Sequence, residues 1–191
     1  MTTEERLAKV ERELAELQHE VRTRRVTILD ENGKTRAMLA VAKDGPVLGL
    51  IDENGQTRAT LGEMGLSLFD EHGKPRALLV VDKSGPGLIL AYENGQTRAG
   101  LTVDEDGRPL LNLLDENSQP RAMLFVSEDG PVLDLADENG KPRAALGMDK
   151  GVPGLALFDA ADKLRATLAV TADVPMLNLY DAAGKTIWSA P

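Results

Sequence analysis

Seven arginines recur down this chain in a nearly fixed rhythm, at Arg36, Arg58, Arg76, Arg98, Arg121, Arg143 and Arg165, each followed by alanine and preceded by a turn rich in Asp, Asn and Gly. A unit of about twenty residues is too small to bury an apolar face alone, so its recurrence makes the chain a stack of supersecondary pieces that pack on their neighbours. From Val26 onward each unit reads as an apolar strand, a D-E-N-G-type turn, a strand opening Arg-Ala, and a D-G-P-type turn. One copy occupies 46–51, 52–55 and 58–61; another occupies 131–136, 137–140 and 143–148. Asn-Gly and Asp-Gly favour positive φ and tight reversals, which makes each pair of strands a hairpin. Proline as the first residue of a strand, at Pro46, Pro86, Pro131 and Pro175, sits where its missing N–H does least harm.

Turns spaced about eleven residues apart predict a meander of about sixteen short strands over 26–190. Period-two alternation selects one face: Leu48 and Leu50, Leu88 and Leu90, Leu111 and Leu113, Leu133 and Leu135, Leu155 and Leu157, Leu177 and Leu179. The returning strands add Ala37, Leu39 and Val41, and so on to Ala166, Leu168 and Val170. That face is a continuous aliphatic strip, the expected repeat core. The opposite face is mixed, with Ile51, Phe69, Leu114 and Phe158 beside Arg58, Arg98 and Thr102. An Asp six residues before most of the arginines predicts cross-strand ion pairs on an exposed face. The step from Arg58 to Arg76 is four residues short of 22, the loss falling at Glu63-Met64-Gly65, and Arg108 lengthens a later loop. Loops vary while strands do not. In the last unit Ile187 and Trp188 replace Arg-Ala, and the segment 182–191, which holds the single Trp, is expected to cap the open end of the strip.

Residues 1–25 form a different kind of segment. Thr2 with Glu5 makes a capping box, and Leu7, Val10, Leu14, Leu17 and Val21 follow at alternating gaps of three and four. That spacing is a heptad seam, with Leu7, Leu14 and Val21 at a and Val10 and Leu17 at d. Three heptads are marginal alone in water and make sense as a clasp on chains held together elsewhere. The plain alternative is an amphipathic helix lying on its own domain. The domains are therefore an N-terminal coiled-coil helix at 1–25 and a β-hairpin repeat domain at 26–191.

Composition narrows the function classes. Hydrophobic residues make up 42%, ample for a packed core and against disorder, while 3% aromatics points to a narrow, layered core of Leu, Val and Ala. The absence of cysteine removes disulfides, thiolate metal sites and cysteine nucleophiles. A net charge of −9 argues against nucleic acid or an anionic membrane as partner. No apolar run approaches the length of a membrane span, and an N-terminus charged from Glu4 onward argues against a classical secretion signal. A cytoplasmic location is the default, with phage-like or other non-classical export open.

An aliphatic sheet face must be covered, at about 25 cal/mol per Å² of apolar surface. No later helix is available, so the cover is the same sheet curling on itself or the sheets of other copies. The heptads favour three copies, giving a mainly β, elongated, trimeric β-prism or triple β-helix of stacked strands. A propeller would impose a second rhythm near 44 residues, which the sequence lacks. A single-chain β-barrel or a MORN-like open scaffold remains an alternative.

No residue set stands out as catalytic, and no cofactor or metal site is expected. The acidic turns at 52–55, 115–117 and 137–140 place acids side by side without the alternating ligands and distal Glu of a calcium loop, and turn chemistry accounts for them. Gly33-Lys34-Thr35 and Gly184-Lys185-Thr186 imitate the end of a phosphate loop, but the glycine required five residues earlier is Ile28 or Leu179. His19 and His72 are solitary. Sites repeated in seven or eight near copies lack the unique environment a catalytic pair needs.

Heptads at Leu7–Val21 running into tandem short-strand repeats up to Trp188 resemble the trimeric fibres of phage tails and bacterial surface fibres. The resemblance implies a non-enzymatic homotrimeric shaft with structural or attachment duties. A distinct C-terminal receptor-binding head does not follow the last strand, which favours a spacer, shaft or filament subunit assembling end to end. The alternative is a multivalent binding module whose repeated arginines and acidic turns meet a glycan or protein.

Overall fold

In the computed structural model, which describes residues 1–19, 23–171 and 174–191, the chain forms one helix followed by one sheet. The helix is α1 (Thr3–His19). The first eight strands are β1 (Arg25–Leu29), β2 (Thr35–Ala42), β3 (Gly45–Ile51), β4 (Thr57–Gly62), β5 (Gly65–Phe69), β6 (Pro75–Asp82), β7 (Gly85–Ala91) and β8 (Thr97–Val103). The next eight are β9 (Pro109–Leu114), β10 (Pro120–Ser127), β11 (Gly130–Ala136), β12 (Pro142–Asp149), β13 (Val152–Phe158), β14 (Leu164–Thr171), β15 (Val174–Tyr180) and β16 (Thr186–Ala190). All 16 strands lie in one sheet in chain order, each antiparallel to the next. Strands β1 and β16 stand at opposite ends, so the sheet is an open meander and neither a barrel nor a propeller.

Register converts the alternating sequence into straight rows, because each hairpin loop returns the chain with its leucines in phase. One row runs Val26, Leu39, Leu48, Leu61, Leu66, Leu79, Leu88, Leu101 and Leu111, each opposite the next. It continues through Leu124, Leu133, Leu146, Leu155, Leu168 and Leu177 to Ala190. On the same face a second row alternates Ala and Leu from Ala37 and Leu50 to Ala166 and Leu179, with Ile28 before it and Trp188 in the last Ala slot. A third row pairs Val with Pro, as at Val41–Pro46, Val81–Pro86, Val103–Pro109 and Val126–Pro131, with Met148 opposite Pro153. It is interrupted at the β4–β5 hairpin, where Gly62 pairs with Gly65 and only Glu63 and Met64 form the turn.

The two long edges of the sheet carry different turns. On one edge a bulge follows each five-residue turn, its extra residue being Arg36 in the first, and the turn is closed by hydrogen bonds such as Gly33 N–H to Asp30 O at 3.0 Å and Asp30 N–H to Lys34 O at 2.9 Å. The fourth turn position has positive φ, 74° at Gly33, and Ser118 and Asp162 adopt 62° and 58° where the repeat loses its glycine. The other edge is reversed mostly by two residues, and there glycine opens the strand, so Pro46, Pro86 and Pro131 are second rather than first. Gly85 is needed in this place because a Cβ would sit 1.9 Å from the Val103 carbonyl oxygen. Pro175 is likewise second, after Val174, whereas Pro75, Pro109, Pro120 and Pro142 do open strands.

The expected core does not exist within one chain. No hydrophobic side chain among the described residues is buried, and the residues that are, Gly49 and Gly87, lie on the face opposite the leucines. The register places the leucines on one face, but a single layer has no second layer to bury it.

Candidate functional site

The leucine face is the dominant surface of the molecule. Eleven leucines of the central row are between 37% and 55% exposed, and Leu66, Leu133 and Leu155 are half-buried. All seven leucines of the alternating row, Leu50, Leu68, Leu90, Leu113, Leu135, Leu157 and Leu179, are exposed as well. The twelve leucines predicted as repeat core thus divide evenly, Leu48, Leu88, Leu111, Leu133, Leu155 and Leu177 falling in the central row and the rest beside it. Within the strands these three rows contain no charged side chain; Arg24, opposite Val41, and Glu63 in its turn lie just outside them. At about 4.8 Å per strand and about 3.4 Å per residue, sixteen strands, most with five positions, span roughly 75 by 17 Å. Monomeric proteins rarely leave a contiguous apolar patch above a few hundred Å².

The arginines line the edge of the D-E-N-G turns, and most serve the turn itself. Asp30 shows the device. One carboxylate oxygen accepts the N–H groups of Asn32 and Lys34, both at 2.9 Å, and the other accepts Arg36 Nε at 2.9 Å and Nη2 at 2.6 Å. The same carboxylate staples the turn and holds the guanidinium at Asp70–Arg76 and Asp115–Arg121, both at 3.4 Å, and at Asp137–Arg143. Asp159 and Arg165 stand at 3.5 Å. Arg76 and Arg121 also donate to the carbonyls of Ala91 and Ala136 in the next hairpin, at 2.9 and 3.0 Å, and Arg143 to that of Asp159. This link between successive units has no sequence signal, because its acceptor is backbone.

The ladder changes at two places. Asp52 staples its turn through Asn54 and Gln56 without an ion pair to Arg58 among the described residues. Tyr92 replaces the Asp altogether, and the guanidinium carbons of Arg98 and Arg76 stand 5.5 and 5.9 Å from its ring centroid. The turn is then supported by Asn94, whose side-chain Oδ1 accepts the Gln96 N–H at 3.0 Å.

Hydrogen bonding shifts these carboxylates. The amide of Lys34 is the largest influence on Asp30 and, with the Asn32 amide and Arg36, holds its carboxyl below the usual range against the opposing effect of burial. The amides of Lys74, Gln119 and Lys163 lead in the same way at Asp70, Asp115 and Asp159. At Asp137 burial is the largest single influence and raises the value, but the amides of Lys141 and Asn139 together with Arg143 outweigh it. Asp134 differs. It lies on the mixed face between Met123 and Ala145, and burial pushes its carboxyl up.

The mixed face also carries a shallow apolar groove of about 260 Å³ over β11 to β14, lined by residues such as Val132, Ala145, Gly147, Ala156 and Thr167. No group of titratable side chains with metal-ligating geometry occurs among the described residues. His72 sits in its turn, its N–H donating to Asp70.

The helix begins with the expected capping box, Thr2 N–H donating to Glu5 at 2.7 Å and Glu5 N–H to Thr2 Oγ1 at 3.2 Å. Among the described residues it makes no contact with a strand. Leu7 and Val10 are 60% and 57% exposed. Leu14 and Leu17 fall within the helix but their side chains lie outside what is described, as does Val21 altogether. No described helix is long and apolar enough to cross a membrane. Trp188 extends the alternating row beside Leu179 and is 46% exposed.

No protein-family profile matches this chain, and no curated protein is significantly similar to it. The fold defines a class only: a helix followed by an open β-hairpin-repeat meander.

Proposed function

We propose that the protein is a non-enzymatic structural rod, a homotrimer whose three leucine faces meet along a common axis as the walls of a β-prism, clasped at one end by a coiled coil of the N-terminal helices. The observation that carries this reading is the uncharged three-row leucine face, left open along the whole sheet. Its extent of roughly 1,250 Å² per chain exceeds the ~800 Å² that each partner contributes to a stable interface. It is also long and narrow.

Strand length favours three walls. Sheets packed face to face lie about 10 Å apart, so each wall places its side chains within about 5 Å of the shared interior. An equilateral prism whose walls stand about 5 Å from the axis has sides of about 17 Å, the span of five residues at about 3.4 Å each. Five positions, such as 37 to 41, are what most strands offer, with the first, third and fifth pointing inward. Side-chain size varies in the same sense. The central row, which would reach the axis, is leucine from Leu39 to Leu177, while the flanking rows, which would fill the narrowing corners, alternate Ala with Leu and, for most of their length, Val with Pro. The exposed seam at Leu7 and Val10 gives the helices a reason to associate.

The arginines fit a structural role in this rod, since five of them are engaged by carboxylates of their own turns. Shaft, spacer and end-to-end filament subunit are the duties such an object can perform. Light scattering coupled to size exclusion tests the reading. The expected mass is three times the 20.5 kDa of one chain, with an elongated profile in small-angle scattering; a compact single chain would overturn it.

A further inference from the structure

The two flanking rows of the leucine face alternate in opposite senses, and this bears on how neighbouring copies align. Strand β8 carries the small Ala99 near one long edge and the larger, branched Val103 near the other; its neighbours β7 and β9 carry Leu90 and Leu113 near the first edge and the compact Pro86 and Pro109 near the second. At each corner of a three-walled prism, the Ala/Leu row of one copy meets the Val/Pro row of the next.

We propose that the three walls are aligned strand for strand, with no axial offset, so that Ala99 of one copy lies against Val103 of the next. This rests on the trimeric reading above and specifies its interface. Level alignment sets a small residue against a larger one on even strands and a large residue against a compact one on odd strands. A slide of one strand, about 4.8 Å, would bring Leu90 or Leu113 against Val103 and Ala99 against proline, alternating crowding with voids at every corner. A slide of two strands would restore the size pairing but leave the leucines of two strands uncovered at each end. The helix supports the same alignment independently, because a parallel coiled coil seats equal heptad positions at equal height.

The chain has no cysteine, so introduced thiols report alignment without background. Ala99 and Val103 are four residues apart on one strand, about 13 Å, too far for a disulfide within a chain. The double variant A99C/V103C, oxidised with diamide, which takes up the two protons and two electrons released by each pair of thiols, should run on a non-reducing gel as a covalent species of three chains. The control A99C/P109C should remain single chains. Cross-linking through A99C/P109C instead, or through neither pair while the unoxidised protein keeps the mass of three chains, would overturn the alignment and leave the trimer standing. A single-chain mass for the parent protein would overturn the trimer itself. Should A99C/V103C fail to fold, A122C/V126C reads the same corner one hairpin further along.

Discussion

Replacing Leu124 by Asp separates a lone sheet from a sealed one. Leu124 stands in the central row between Leu111 and Leu133 and is 48% exposed in the single chain. If the sheet functions alone, half of the side chain is already in water. The substitution then forfeits about half of the ~1.5–3 kcal/mol of a fully buried leucine, plus up to ~1 kcal/mol in strand preference, or about 1–2 kcal/mol together. For a domain of this size that lowers the melting temperature by roughly 2–8 °C. In a closed prism three carboxylates would meet near the axis at one level, each losing several kcal/mol to desolvation without a cation to offset it. The total then reaches about 10 kcal/mol for three chains, comparable with the ~5–15 kcal/mol that keeps a typical domain folded. Light scattering and circular dichroism over a hundredfold concentration range should show L124D losing the assembled mass at pH 7 and recovering part of it near pH 4, where protonation removes the charge. A variant with the parent's mass and a melting temperature within a few degrees of it at both pH values would refute the reasoning.

The remaining predictions concern the ladder and the clasp. Tyr92→Asp restores the carboxylate that staples the other turns and pairs with their arginines, so the melting temperature should rise; a fall would show that the Tyr92 contacts with Arg76 and Arg98 outweigh the staple. Arg121→Ala leaves the Ala136 carbonyl without its 3.0 Å donor, a hydrogen bond worth roughly 0.5–1.5 kcal/mol, and denaturant titration should register that loss. Ser118→Gly relieves a left-handed residue at φ 62° and should stabilise by about 0.5–1 kcal/mol, visible as a small rise in the thermal midpoint. The lowered carboxyls of Asp30, Asp70, Asp115, Asp137 and Asp159 contribute stability that is present above their unfolded value of 3.8 and lost as pH falls through the lower folded values, so a melt series should steepen below pH 4. Asp134 has the opposite sign: Asp134→Asn should stabilise at pH 7 and cease to do so as pH drops through the raised value toward 3.8. The double variant L7E/V10E should lower assembly at dilute concentration while leaving the strand signal intact.

The sequence alone determined the helix, the number and order of strands, the hairpin turns and the membership of the aliphatic face. Each of these is a local decision: Asp-Glu-Asn-Gly reverses the chain within a few residues, and alternation of apolar positions assigns a face without reference to anything distant. Even the Asp–Arg pairs were legible, since six residues across a tight turn bring both side chains to one edge. Only the tertiary structure decided that the sheet stays open, because closure depends on twist and stagger accumulated over sixteen strands and no single residue encodes it. Register decided the rest. The leucines form one straight row because the loop lengths cancel strand by strand, and the bond from Arg121 to the Ala136 carbonyl arises because two hairpins lie side by side.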